Sequence, residues 1–123
     1  MENLDLLPHL WGCRIAEYEF DIVASSVILS VYCPRSSGVT EHYNVRMRQV
    51  LSFSFQHDVR FTTREHLIEP WRYIDLSSIE ASRVTIGVEQ YWKVEAELWS
   101  AVLEVICGEL HVTRGLTVDT KTE

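Results

Sequence analysis

Hydrophobic and polar residues alternate with a period of two through most of this chain. After Ala16 the order is Glu17, Tyr18, Glu19, Phe20, Asp21, Ile22. An extended strand places the acids of such a run on one face and its apolar side chains on the other. A short turn at residues 24–26 separates this run from a second one at residues 27–33. The two runs predict a β-hairpin.

The third alternating run is the longest, and its apolar side holds Tyr43, Val45, Met47, Leu51, Phe53 and Phe55. Fully extended, residues 43–55 would span about 43 Å. A globule of this size has a radius of gyration of only about 14 Å. Polar Gln49 falls on the apolar side and Val50 on the polar side, so the run is predicted to contain a β-bulge there.

The alternation is lost between residues 58 and 71. Thr62 and Glu65 fit a helix capping box, and Pro70 would end the helix, so we expect at most one short helix near residues 63–69. Strand signals resume at Trp71, with a change of parity at Ser77 and Ser78.

Residues 89–106 are ambiguous between strand and helix. Lys93 to Leu98 alternates as a strand does, yet Tyr91, Trp92, Leu98, Trp99, Val102 and Ile106 also form a stripe at helical spacing. The alternation and the valine and isoleucine content favour strand. Leucines at positions 4, 7 and 10 predict a short helical plug over one end of the sheet.

These elements predict a mainly β fold, an antiparallel β-sandwich or partly open barrel of six to eight strands. The single domain spans residues 1–123, and residues 117–123 are expected to fray. If exposed, the long third strand would allow edge pairing with a second copy.

The negative net charge of the chain limits the kinds of molecule that it is expected to bind. The chain has 11 basic and 18 acidic residues, a net charge of −7. Such a surface repels nucleic acids and anionic membranes, and no apolar run is long enough to span a bilayer. Arg46 and Arg48 are the one basic pair on a strand face, and we expect them opposite the acids of the first strand.

The cysteines are Cys13, Cys33 and Cys107. Their apolar surroundings predict three reduced core residues, with a Cys33–Cys107 disulfide or a reactive thiol as alternatives. The start of the chain lacks the basic stretch and apolar run of a secretory signal, which favours the cytoplasm.

Catalytic and metal-binding motifs are not recognisable in the sequence. His9 and Cys13 have a spacing that suits two metal ligands, but a site needs three or four. The glycines are scattered singly and form no phosphate cradle. We therefore expect no catalytic residues, no metal and no cofactor.

The second half of the chain suggests a docking surface instead. Between residues 84 and 110 the only cation is Lys93, against five glutamates. Strand parity turns Trp99 outward, and exposed tryptophans anchor protein interfaces. The hypothetical partner-binding residues are Glu89, Glu95, Glu97 and Trp99, and the partner would be a basic protein.

Four segments set the rhythm of the chain: LWGCRI, YNVRMRQVLSFSFQ, YIDLSSIEA and VLEVICGELHV. Their order and spacing resemble those of small bacterial β-rich proteins, some of which accompany polymorphic toxins as immunity proteins. The resemblance implies a non-enzymatic protein that neutralises a partner by occluding it, and an acidic surface would suit a basic toxin.

Three functions follow, of which protein binding of the inhibitor or immunity type is favoured. The alternative is a small-ligand-binding barrel lined by Tyr18, Phe53, Phe55 and Trp92. The second alternative is a hydrolase-like enzyme that uses His57, His66 or the acids at positions 17, 19 and 21. A deep apolar pocket would favour the ligand-binding hypothesis, and a filled interior with a flat acidic face would favour protein binding.

Overall fold

The structure, a computed structural model, describes residues 4–35, 38–57, 74–99, 101–115 and 118–119. A 3₁₀ helix at Leu4–Leu10 comes first. The strands are β1 (Cys13–Asp21), β2 (Ser26–Pro34), β3 (Val39–His57), β4 (Ile74–Ile86), β5 (Glu89–Leu98), β6 (Ala101–Arg114) and β7 (Val118–Asp119). All of them pair antiparallel, so the predicted mainly β, antiparallel class is confirmed.

Six of the strands pair in a closed ring, in the order β1-β4-β5-β6-β3-β2 and back to β1. We call this the strand ring. Its shortest contact joins β1 to β4 through three residue pairs, from Cys13 opposite Leu76 to Ile15 opposite Ile74. Two-residue β7 adds to the start of β3. β3 lies between β2 and β6. β2 pairs with it only from Thr40 to Met47.

The core fills the inside of the strand ring. Alternate residues of β2 and β6 are buried there, as expected for strands with one dry face. Leu7 and Leu10 of the 3₁₀ helix are buried too, and the helix packs against β4 and β6 at one end of the ring. The predicted helical plug is thus confirmed. Within the described part of the chain, no helix has the length and apolarity to cross a bilayer.

The predicted breaks in alternation are confirmed. Gln49 has a φ of 54°, and the pairing of β3 with β6 shifts between Val50 and Ser52. In β4 the register shifts between Leu76 and Ser78. Residues 89–98 and 101–114 are strands, which settles the ambiguous segment in favour of sheet.

Other predictions are corrected or lie outside the described residues. Val118 and Asp119 pair with β3, and the other residues of the 117–123 segment, which is expected to fray, lie outside the described residues. Tyr18 and Ile22, expected on a dry face, are 78% and 81% exposed, because Ile22 lies in the turn that follows β1 and Tyr18 lies near that end of the strand. The helix expected near residues 63–69, and Trp71, lie outside the described residues.

The two arginines of β3 do not meet the acids of β1. Arg46 lies between Ile28 of β2 and His111 of β6 in the sheet, and Arg48 lies opposite Glu109. One whole strand, β2, therefore separates Arg46 from β1, and the predicted cross-strand charge pairs are wrong.

Two of the three cysteines form a disulfide, which overturns the prediction that all are reduced. Cys13 and Cys33 occupy facing positions on β1 and β2, with their Cα atoms 4.7 Å apart. The sequence could not show this register. Cys107 is free and buried, as expected, and burial raises the pKa of its thiol to about 11.

Gly108 lies beside the bulge, where a β-carbon would collide with the side chain of Gln49. We expect Gly108→Ala to lower the free energy of unfolding by about 1–2 kcal/mol because the Gln49 side chain has to move. In a Gln49→Gly background, which also removes a strained left-handed residue, the same substitution should have almost no effect. Urea unfolding of the native protein, the two single variants and the double variant gives the coupling free energy between positions 49 and 108. Strictly additive effects on the free energy of unfolding would contradict this packing.

Thiol counting tests the assignment of the cysteines. Protein purified without reductant should take up almost no iodoacetamide while folded, because the Cys107 thiol is buried and protonated at neutral pH. After unfolding, mass spectrometry should find one labelled cysteine, and all three after prior reduction. Three labels without reduction would restore the original prediction.

Candidate functional site

An apolar cavity of about 350 Å³ lies at the end of the strand ring opposite the 3₁₀ helix. Its walls come from β1 to β6, and the lining residues are Ile15, Tyr18, Phe20, Val27, Leu29, Phe53, Phe55, Ile74, Leu98 and Leu103. The volume falls within the range of about 300–1,000 Å³ that is usual for small-molecule sites.

Cross-strand register explains why the aromatic residues face this cavity. Tyr18 and Phe20 lie opposite Leu29 and Val27, which are buried. On β3, Phe53 and Phe55 lie opposite the buried Val105 and Leu103 of β6. Facing residues of adjacent strands share one side of a sheet, so all four rings point to the inside of the ring.

These four rings border the opening, which we call the mouth. Phe20, Phe53 and Phe55 are each about 41–43% exposed, although they point inward. Phe20 and Phe53 pack edge to face with ring centroids 4.8 Å apart, which links β1 to β3 across the mouth. The described rings that border the cavity are therefore partly in contact with solvent.

More exposed apolar residues lie next to the mouth. Ile22 and Val23 form the β1–β2 turn, and Val23 is 98% exposed. The amide of Val50 donates a hydrogen bond of 3.0 Å to the carbonyl of Ser25, which brings this turn beside the β3 bulge and exposed Leu51. Exposed apolar residues therefore cluster beside the mouth, and large exposed apolar patches are typical of interaction sites.

The described lining of the cavity carries no charge. Among its lining residues the Tyr18 hydroxyl is the only polar side-chain group. The strand segments that bear the mouth aromatics, 17–21 on β1 and 51–56 on β3, contain the acids Glu17, Glu19 and Asp21 and no lysine or arginine. These acids alternate with the inward residues, so they lie on the outer face of the ring.

The opposite end of the ring is closed by a polar network around Glu41. This carboxylate pairs with Arg35, and its Oε2 lies 3.0 Å from an Arg114 nitrogen and accepts a 3.2 Å hydrogen bond from the buried Tyr43 hydroxyl. The hydrogen bond from Arg35 holds the pKa of Glu41 below its usual value. Both carboxylate oxygens of Glu41 have partners, so the network has a structural role at this end of the strand ring.

The predicted docking residues are only partly brought together. Glu95 and Glu97 share the outer face of β5, and Trp99, 61% exposed, follows the end of the strand. Glu89 lies six residues from Glu95, about 20 Å away along the strand. It therefore belongs to the other end of this face.

A row of acids crosses this face, and sequence reasoning missed it. Glu95 lies directly between Glu80 of β4 and Glu104 of β6. We call these three residues the glutamate row. Lys93 is near two of them, with its Nζ 3.6 Å from Glu95 and 3.8 Å from Glu104. Only the register of three strands reveals the row, because its members are far apart in sequence.

The residues named for other chemistry are engaged elsewhere or not described. Glu17 accepts a 3.0 Å hydrogen bond from the Tyr32 hydroxyl, and Asp21 accepts one of 2.9 Å from the amide of Ala24. Cys13 is bonded to Cys33, so it does not serve as a metal ligand with His9. His66 and the His57 side chain lie outside the described residues, among which no three potential metal ligands come together.

Trp92, expected to line a ligand cavity, is buried in another part of the core. The guanidinium of Arg83 covers its ring at 3.9 Å from the centroid. The other three residues named for that hypothesis, Tyr18, Phe53 and Phe55, do line the cavity.

Comparison with known proteins adds no assignment. No protein-family model matches the chain, and no curated protein is detectably similar to it.

Proposed function

We propose that this protein binds a small apolar molecule in the cavity at the mouth of the strand ring. The observation that carries the proposal is an apolar cavity of about 350 Å³ that opens between four aromatic side chains. Ligand binding is the alternative to protein binding that the sequence also suggests, and the apolar cavity is the feature that favours it.

The size of the cavity sets the size of the ligand. An apolar cavity of about 150 Å³ is enough to hold benzene, so this one has room for roughly two fused rings or a medium alkyl chain. A ligand of about ten non-hydrogen atoms, each contributing roughly 0.6–0.8 kcal/mol, would bind with a Kd of about 1–40 micromolar.

The exposed rings supply the driving force. Burial of apolar surface contributes about 25 cal/mol per Å², and the inward aromatic residues are left partly in water in the empty protein. A ligand would cover them without displacing any charged group from the lining.

A substitution that fills the cavity tests the proposal. Phenylnaphthylamine, an uncharged dye that brightens in apolar surroundings, should bind the native protein, and Leu98→Trp should weaken this binding at least tenfold because the larger ring takes the space. Ser54→Trp adds the same ring to the outer face of β3 and should bind as the native protein does. Fluorescence titration measures all three, after circular dichroism has shown the same fold.

Two results would count against the proposal. Failure of the native protein to bind the dye would refute an accessible apolar site. Equal binding by native protein and the Leu98→Trp variant would place the dye elsewhere.

The acidic outer face supports a second candidate function, docking of a basic protein. Like charges directly opposite one another destabilise a sheet, yet the glutamate row sets three side by side next to exposed Val102 and near Trp99. A basic partner would relieve this repulsion, and the resemblance to immunity proteins points the same way.

A substitution in the glutamate row should raise stability and weaken binding, and this combination tests the docking face. Glu80→Gln should raise the free energy of unfolding by about 0.5 kcal/mol, since it removes one repulsive pair, and weaken binding of poly-lysine about twofold. Glu89→Gln, with no acid opposite it, should change neither quantity by as much. Thermal unfolding and titration at low salt measure both; a loss of stability in the Glu80 variant would contradict the repulsion.

A cytoplasmic location also stays a proposal. The buried free thiol of Cys107 is typical of reducing compartments, whereas the Cys13–Cys33 disulfide is unusual there.

A further inference from the structure

We infer that the ligand of the cavity is an organic cation, with an apolar body inside the strand ring and an ammonium group at the mouth. The inference rests on the proposed function, since it assigns the chemistry of the same site. It comes from the charges and rings that surround the opening.

The apolar body follows from the described lining residues, none of which offers a partner for a buried charge. A charged group buried there without a partner would be strongly disfavoured. Any charge on the ligand must therefore stay at the mouth, in contact with water.

The sign of that charge follows from β1. The half of this strand that carries Tyr18 and Phe20 also carries Glu17, Glu19 and Asp21. Across the mouth, residues 51–56 of β3 are uncharged. The nearest described cation on β1 is Arg14, which lies 4.0 Å from Asp75 and is compensated by it. The described border of the mouth is therefore negative, and it attracts a cation and repels a carboxylate.

The rings at the mouth favour a cation for an independent reason. The face of an aromatic ring attracts ammonium and guanidinium groups within about 6 Å. The described part of the chain makes the same cation–π contact with its own arginines in two places. The guanidinium carbon of Arg83 lies 3.9 Å from the ring centroid of Trp92, and that of Arg114 lies 5.4 Å from the ring centroid of Tyr43. Tyr18, 78% exposed, and Phe55, 41% exposed, present rings at the opening, where a ligand ammonium would lie.

Three molecules with the same alkyl chain test the sign of the charge. Octylamine, octanol and octanoate are each used to displace phenylnaphthylamine at neutral pH and low salt. We expect octylamine to bind roughly tenfold more tightly than octanoate, with octanol between them. The ratio should shrink at physiological salt, because the Debye length falls to about 8 Å.

A matched pair of charge reversals localises the effect. Glu19→Lys changes the charge beside the mouth, and it should bring the octylamine-to-octanoate ratio close to one. Glu89→Lys changes the net charge equally but lies nine residues from Leu98 along β5, about 30 Å away. It should leave most of the ratio intact. Glu19→Gln, which should lower the ratio part of the way, replaces Glu19→Lys if that variant does not fold.

The possible outcomes distinguish failure of the cationic assignment from failure of the proposed ligand-binding function. If neither the dye nor any of the three compounds binds, the proposed function fails. If the dye binds and octanoate matches or exceeds octylamine, the cavity is a ligand site and the cationic assignment is wrong. Equal effects of the Glu19 and Glu89 reversals would overturn the role of the mouth acids.

Discussion

Three residue pairs between β1 and β4 close the strand ring, and the rest of the architecture depends on them. A strand edge left open presents unpaired amide and carbonyl groups, and closure of a sheet on itself removes this liability. The pairing satisfies the start of both strands and encloses the core. Among the described residues it extends from Cys13 to Ile15 of β1, and β1 itself continues to Asp21.

The cavity lies beyond this closure, toward the ends of β1 and β3. β1 borders the mouth on one side, and β3, which continues past its pairing with β2 at Met47, borders it on the other. Their inward side chains, Tyr18 and Phe20 with Phe53 and Phe55, extend beyond the closely packed core. At the other end lie the 3₁₀ helix, the disulfide and the Glu41 network. The two ends of the strand ring therefore differ, with the polar Glu41 network at one end and aromatic rings at the other.

The outer surface carries the charge that the interior lacks. On β1 the acids alternate with the mouth aromatics, so the strand that lines the cavity also sets its external potential. On β4, β5 and β6 the glutamate row gathers charge that lies apart in sequence. Two acidic surfaces arise for different reasons, one from alternation within a strand and one from register between strands.

Alternation along the sequence by itself determined the antiparallel β class, the β1–β2 hairpin, the bulge at Gln49 and the helical plug, because each depends on residues close together in the chain. It also named three residues of the cavity, Tyr18, Phe53 and Phe55. Tertiary structure alone decided that Cys13 faces Cys33, that Arg46 is separated from the acids of β1, and that Trp92 packs under Arg83 away from the cavity. The physical reason is that parity fixes only which face of its own strand a side chain occupies. Which strand lies beside it, and in which register, depends on how the whole ring closes.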